Sequence, residues 1–317
     1  MPTSSRRART AALFLVVLSL VVAACGDSNS KAAAPTGGGA VPADPDRTLK
    51  ISAIPDQDPA RLVTINQAMA AHLAARLGVK VEFVPVTDYA ASVSLFKTGD
   101  LDMVFFGGLT GVQARLQAPG AVLIAQRDID DAFQSVFIAN AASGIQPATE
   151  VGQLAALKGK RFTFGSESST SGRLMPEYFL DQAGISSEKD FNGPVGYSGS
   201  HDKTIDLVQA GTYEAGALNL QVWKTRKAKG TVDLTKVSEV LTSPSYHDYH
   251  WIAGPKTNQR FGAGFTDKLS SALTSLDVND PDQAALLALY GAKRFIPTKV
   301  GNYVEIEQIG RKLELIT

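Results

Sequence analysis

The stretch LKISAIPDQDPARLVTINQAMAAHLAARLGVKVEFVPV, residues 49–86, decides the fold class. LKISAI (49–54) is an apolar run of strand length, Pro59 to Leu77 reads as a helix that ends at Gly78, and KVEFVPV (80–86) is a second strand. Outward from this unit the alternation continues: a helix over Tyr89–Lys97, a strand LDMVFF (101–106), a helix over Thr110–Gln117 and a strand AVLIAQ (121–126). It then restarts with an extended run FQSVFIA (133–139), a short helix over Glu150–Leu157, a strand RFTFGS (161–166), a helix from Leu174 to Ala183 closed by Gly184, and a strand PVGYS (194–198). Helical patterns over Asp202–Gln209 and Val222–Lys229 flank AGALN (215–219), and a return strand is expected near HDYHWIAG (247–254). Strands separated by helices of this length predict parallel sheets with crossover helices. Two such series without an internal sequence repeat predict two α/β lobes.

Upstream of residue 49 the chain has a different character. Arg6, Arg7 and Arg9 precede the apolar run AALFLVVLSLVVAA, 14 residues from Ala11 to Ala24, and the single cysteine of the chain, Cys25, follows directly. That run is short for a membrane span, which needs about 20 residues. A positive segment, a short apolar core and small residues before a cysteine have the form of a lipoprotein signal, so residues 1–24 are expected to be removed and Cys25 to carry a lipid. Ser5-Arg6-Arg7 is a weak twin-arginine pattern that the following residues do not support. Residues 25–48 are rich in Gly, Ala, Pro and Ser and read as a flexible tether. The folded part is therefore expected beside a membrane, on its extracytoplasmic face.

The composition narrows the function. The full chain of 317 residues has 31 basic and 31 acidic side chains, and loss of three arginines with the signal leaves 28 against 31, a net of −3. Nucleic-acid binding calls for a basic excess and is not expected. One cysteine excludes an intramolecular disulfide and a Cys-rich metal site.

The strongest chemical signal is GSESSTSGRLMPEYFL, Gly165–Leu180, where Ser166, Ser168, Ser169, Thr170 and Ser171 lie between a strand and a helix. Free N–H groups and the positive dipole end of a helix make an anion site, and hydroxyls add donors. One N-cap residue would satisfy the helix; this many hydroxyls exceed that need. The segment lacks the second glycine of a G-x-S-x-G nucleophile elbow and the Gly-Lys-Ser/Thr of a P-loop. A second turn, GYSGSHDKTIDLVQAG (196–211), places His201 and Asp202 at the carboxyl end of a strand, the edge where ligands of open α/β sheets bind. His201 is a candidate donor to an oxyanion, and Asp202 a candidate acceptor from a protonated one or an orienter of His201. Tyr89, after Thr87-Asp88, is placed to point across a cleft, with Asp88 capping its helix. Gly107 and Gly108 would let backbone approach a ligand. SYHDYHW (245–251) raises a metal reading through His247, Asp248 and His250, weakened because the two histidines would face opposite sides of an extended segment.

Taken in order, the lipoprotein signal, PVTDYAA (85–91), GDLDMVFFGG (99–108), SSTSG (168–172), YSGSHD (197–202) and EAGALN (214–219) resemble the PhnD-like phosphonate/phosphite-binding proteins of ABC importers. HDYHW (247–251) and RFIPT (294–298) are similar to the branch commonly labelled selenate ABC transporter substrate-binding protein. The resemblance covers roughly residues 49–303. It implies a type II periplasmic-binding-protein fold, two α/β lobes joined by a two-strand hinge, with residues 49–130 and 252–317 in lobe 1 and 131–251 in lobe 2. It maps the ligand-facing tyrosine to Tyr89, the cradling hydroxyls to Ser168, Ser169, Thr170 and Ser171, and the motif histidine to His201. The chain departs from the family pattern at Glu214, where Asp is frequent, and Asn219 stands where a carboxylate could face the ligand.

The resemblance further implies a lipid-anchored, monomeric receptor without cofactor, metal or catalytic residue. Such a receptor would capture phosphite or a phosphonate between its lobes and deliver it to an ABC permease and ATPase. Two alternatives stay open: a selenate- or sulfate-type receptor of the same fold, and a secreted enzyme using Ser169 and His201. The first turns on protons, because selenate and sulfate offer no hydrogen to a carboxylate such as Asp202 facing the anion.

Overall fold

The first strand begins at Thr48, and the computed structural model describes residues 47–316. The expected signal segment, Cys25 and the tether up to residue 46 lie outside the described residues. Eleven strands among the described residues form two sheets. The first contains β1 (Thr48–Ala53), β2 (Lys80–Phe83), β3 (Met103–Phe106), β4 (Val122–Arg127), β10 (His250–Ala253) and β11 (Phe295–Ile296); the second contains β5 (Ser135–Asn140), β6 (Phe162–Phe164), β7 (Gly196–Tyr197), β8 (Ala215–Asn219) and β9 (Val237–Thr242). Their spatial orders are β11-β4-β10-β3-β1-β2 and β7-β6-β8-β5-β9.

The opening unit folds as its residues dictate. Asp58 accepts from the Arg61 N–H and Pro59 starts the helix Pro59–Leu77, which buries Ile65, Met69, Ala70 and Leu73 and stops at Gly78 in the left-handed region at φ 67°. An N-cap of this kind is worth about 1 kcal/mol. The helix carries the chain from β1 to a parallel partner, β2, and β1 also pairs in parallel with β3. All four residues of β3 are buried, as expected of a strand covered on both faces.

The sheets are mixed rather than wholly parallel. β10 runs antiparallel between β3 and β4, and β5 runs antiparallel between β8 and β9. β10 and β5 each sit next to a crossing between lobes, since the chain leaves the first sheet after Arg127 and returns to it at His250, while the short β11 at the sheet edge also runs antiparallel to β4. The crossing segments pair with each other, with the Phe133 N–H donating to Tyr246 O at 2.8 Å and the Tyr246 N–H to Phe133 O at 2.9 Å. The pattern of strands and helices does not announce β9. Its apolar residues Val237, Val240 and Leu241 do not alternate, and its pairing with β5 shifts register at Phe137/Ile138, so the period-two signature is broken.

Candidate ligand-binding site

The carboxyl ends of strands from both sheets meet at the crossing, and the serine-rich loop enters from the second lobe. After β6 the loop turns at Ser169, whose Oγ accepts from the Gly172 N–H at 3.0 Å. The turn Thr170–Leu174 is wider than an α-helix: the Leu174 N–H reaches back five residues to Ser169 O at 3.0 Å before the helix Met175–Gln182 begins. Such π-type turns occur frequently at functional sites. The N–H groups of Thr170 and Ser171 precede any intrahelical acceptor. Gly172 keeps this corner tight, because a Cβ would lie 3.0 Å from Ser169 Oγ, 3.1 Å from Gly165 Cα and 3.2 Å from His201 Cε1 and would push these neighbours apart.

From the first lobe, Gly107 and Gly108 bring backbone against this turn. A Cβ on Gly107 would stand 3.1 Å from Thr170 Oγ1 and 3.3 Å from Asp248 Oδ1. The Leu109 N–H donates to Thr170 Oγ1 at 2.9 Å and the Gly108 N–H to Asp248 Oδ1 at 2.8 Å. Thr170 thus ties the lobes together. Tyr89, which starts the helix Tyr89–Thr98 behind its Asp88 cap, is buried and lies beside Ser169, with Asp56 and Asp248 close enough to push its hydroxyl pKa further up after burial has raised it.

His201 is wholly buried, and desolvation lowers its pKa to about 3, so the ring is neutral. Its Nδ1 accepts from the Asn219 N–H at 3.3 Å, which puts the ring proton on Nε2, 3.4 Å from the Tyr249 hydroxyl. That hydroxyl donates to Asp56 Oδ2 at 2.8 Å and accepts from Asn219 Nδ2 at 3.1 Å. Burial pushes Asp56 up to about 6 against the opposing Tyr249 hydrogen bond. Asp248 is pushed up to about 7, first by burial, against the hydrogen bond from Gly108.

Three buried polar atoms in this cluster make no hydrogen bond of normal geometry to protein, with only Ser169 near the first and Tyr246 near the second: the Tyr89 hydroxyl, Ser171 Oγ and Asp248 Oδ2. An unanswered buried polar group costs about 1–3 kcal/mol. Elsewhere among the described residues, the atoms without a hydrogen bond are Trp251 Nε1, Arg173 Nε and Nη1 and Glu177 Oε2, and Arg173 and Glu177 form an ion pair with each other.

The residues singled out in the sequence therefore divide. Tyr89, Ser169, Thr170, Ser171 and His201 come together. Ser168 is half-buried at the rim, its N–H directed to Ser166 Oγ at 3.4 Å. Asn219 reaches the cluster only through Tyr249 and His201, because its Oδ1 caps the next helix by accepting from the Gln221 and Val222 N–H groups. Asp202 does not face the cluster. It pairs with Arg226 at 3.0 Å and accepts from the Asp58 N–H at 3.0 Å, so it neither orients His201 nor points inward. Glu214 lies apart, accepting from the Arg161 N–H at 3.0 Å. Among the described residues no group of three or more His, Cys, Asp or Glu side chains is placed to hold a metal ion. His250 instead stacks on Tyr303 at 3.9 Å.

Asp56 and Tyr249 escape a reading of residue chemistry, and Asp248 enters it only as a metal candidate. Asp56 follows β1 in a loop with no motif. The usable signal for the other two is their place just before β10, where the chain crosses back between the lobes.

Two α/β lobes, a paired crossing and an under-satisfied polar cluster between them define the class of bilobal ligand-binding proteins. The chain belongs to the family described as the periplasmic phosphonate substrate-binding proteins of ABC transporters, whose sequence profile matches residues 51–303. It is 46% identical over 271 residues to the probable ABC transporter phosphite-binding protein PhnD1 of Prochlorococcus marinus strain MIT 9301, covering 85% of this chain and 91% of that one. The structure of PhnD1 from that organism in complex with methylphosphonate superimposes with a TM-score of 0.83, over 86% of this chain and 100% of that chain, at 46% identity. A more distant relative, the phosphate-import protein PhnD of Mycolicibacterium smegmatis, is 28% identical over 71% of this chain and 70% of its own. The fold expected from the sequence, two lobes of the type II periplasmic-binding-protein form, is the one found, and the family places the chain in an extracytoplasmic ABC import system.

Proposed function

We propose that this chain captures phosphite or a short phosphonate between its lobes and presents it to the permease of an ABC importer. The observation that carries this reading is the set of unanswered atoms on Tyr89, Ser171 and Asp248, buried beside the first N–H groups of the Thr170 turn. Two of the three are hydroxyls and the third is a carboxylate oxygen. An oxyanion bearing one hydrogen would answer all three: its bare oxygens accept from Tyr89, Ser171 and the turn N–H groups, and its P–OH donates to Asp248 Oδ2. The names of the PhnD1 relatives support the phosphorus chemistry. Asp248 thus takes the acceptor role that the sequence offered to Asp202.

Closing the lobes over such an anion needs only several charge-assisted hydrogen bonds to reach micromolar affinity, about −8 kcal/mol. The closed form would be what the permease recognises, since a ligand shifts a conformational equilibrium only by its differential affinity. Calorimetry at neutral pH should show heat with phosphite or methylphosphonate and little with selenate or sulfate. Heat with selenate or sulfate alone would overturn the reading in favour of the other oxyanion class. The same proposal places the receptor on the membrane through a lipid on Cys25, acting as a monomer at the end of its tether. Cys25→Ser should move the protein from the membrane fraction to the soluble one, and a protein still membrane-bound would sink that part.

A further inference from the structure

Behind Tyr249, as seen from the cluster, the cleft holds a second space of about 70 Å³. Its walls are mixed: Ile54, Leu62, Ile65 and Phe105 are apolar, and Gln57, Arg61, Asn66 and Arg127 are polar. It continues past Gln57 and Arg61, which also line an open depression between the lobes with Asp58, Asp202 and Arg226. Tyr89, Ser169, Thr170 and Ser171 are not among its walls; Asp56, Asn219 and Tyr249 are. These three stand between the two spaces. A water needs about 10–15 Å³ of such volume, so the space takes several waters or a short alkyl chain.

The dividing wall is fixed rather than adaptable. A tyrosine hydroxyl has one hydrogen to give and two lone pairs to fill. Tyr249 gives its hydrogen to Asp56 Oδ2 at 2.8 Å, accepts from Asn219 Nδ2 at 3.1 Å and faces His201 Nε2 at 3.4 Å, so no capacity remains for a ligand. Its ring is clamped by Phe105 stacked at 5.5 Å and by the Arg127 guanidinium 4.8 Å from its centroid.

We propose that Asp56, Tyr249 and Asn219 form a specificity wall: they shut the oxyanion cradle off from the second compartment, and so limit the substituent on phosphorus to about the size of a methyl group. Shortening the wall joins the two spaces, and the compartment then takes the chain of an ethyl- or propylphosphonate. The inference rests on the oxyanion reading above.

The test is calorimetry with phosphite, methylphosphonate, ethylphosphonate and n-propylphosphonate on the wild type, Asp56→Ala and Asn219→Ser. Serine keeps an N-cap oxygen for the Gln221 and Val222 N–H groups but cannot brace Tyr249. In the wild type, affinity should fall at least about tenfold from methyl- to n-propylphosphonate, and both variants should shrink that ratio by about tenfold. Adding Leu62→Phe to Asp56→Ala refills the compartment and should restore the wild-type ratio. Melting curves confirm which variants fold, and Asn219→Ser carries the test if Asp56→Ala does not. The wall is overturned if the wild type binds n-propyl- as tightly as methylphosphonate, or if folded variants that bind phosphite keep the wild-type discrimination. A wild type that binds none of the four ligands removes the oxyanion reading itself, and the wall with it.

Discussion

Two buried polar clusters share the crossing between the lobes, and they differ in one respect. Around Arg127 the charged groups are answered by protein. Its Nε donates to Asp130 Oδ2 at 2.8 Å, Nη2 to Asp130 Oδ1 at 2.7 Å and Nη1 to Tyr290 O at 2.9 Å, while its guanidinium lies within 5.7 Å of the Phe105, Phe133 and Tyr249 ring centroids. In the cradle, Tyr89, Ser171 and Asp248 each keep one atom unanswered. Both clusters are buried, and both contain charge or potential charge. What separates them is hydrogen-bond satisfaction: a closed set of partners holds the hinge together, and an open set waits for something else to complete it.

The largest effect that would break this contrast lies in the hinge cluster. Arg127→Met leaves the Asp130 carboxylate buried without its partner, and removing one member of a buried pair costs about 3–5 kcal/mol. Urea denaturation should show a loss of that order, and a loss below about 1 kcal/mol would mean the cluster is not what fixes the crossing. Ser171→Ala is the counterpart in the cradle. It removes an atom that makes no hydrogen bond of normal geometry to protein, so unfolding free energy should change by less than about 1 kcal/mol, while oxyanion affinity falls by about 1–3 kcal/mol. A variant that loses stability and keeps its affinity would reverse the roles assigned to the two clusters.

The contrast also shows what a sequence can and cannot carry. The run of hydroxyls from Ser168 to Ser171 is legible because local composition exceeds what a helix cap needs, and the strand-turn-helix around it is a local pattern. Tyr89 is legible for the same reason, sitting directly behind a capping Asp. Asp202 shows the limit. At the start of a helix after a strand it has the address of a ligand-facing residue, but Arg226, 24 positions later, folds back and claims it. Asp56 and Tyr249 are 193 positions apart and meet only once the chain has crossed twice between lobes. No period or spacing encodes that meeting. The lobes follow from alternation of strands and helices, whereas the mixed sheet direction follows from the crossings, which periodicity does not reveal.

The smallest expected effect sharpens the role of Asp248. An aspartate in an unfolded chain ionises near pH 4 (about 3.9), whereas burial pushes Asp248 up to about 7. Between these values the folded state holds a proton that the unfolded state has lost, so this residue's contribution to stability declines as pH rises through that window. His201 acts in the opposite sense: lowered to about 3 by burial, it supports the fold above about pH 6.5 and withdraws that support as pH falls. Asp56, raised to about 6, sides with Asp248, and His250, lowered to about 3, sides with His201, so the wild-type melting curve is a balance of opposed slopes. The difference between Asp248→Asn and wild type isolates one group, because asparagine keeps an Oδ1 for the Gly108 N–H and never ionises. In ligand-free protein the variant should melt higher than wild type at pH 8, by a few degrees, and the gap should close as pH falls to 5. Its amide would also donate to an oxyanion where the carboxylate can only accept, so selenate and sulfate should gain on phosphite in the same variant. A melting difference that does not change with pH, together with unchanged selectivity, would remove the proton on Asp248 from the account of this site and leave Asp248 as a plain acceptor for Gly108.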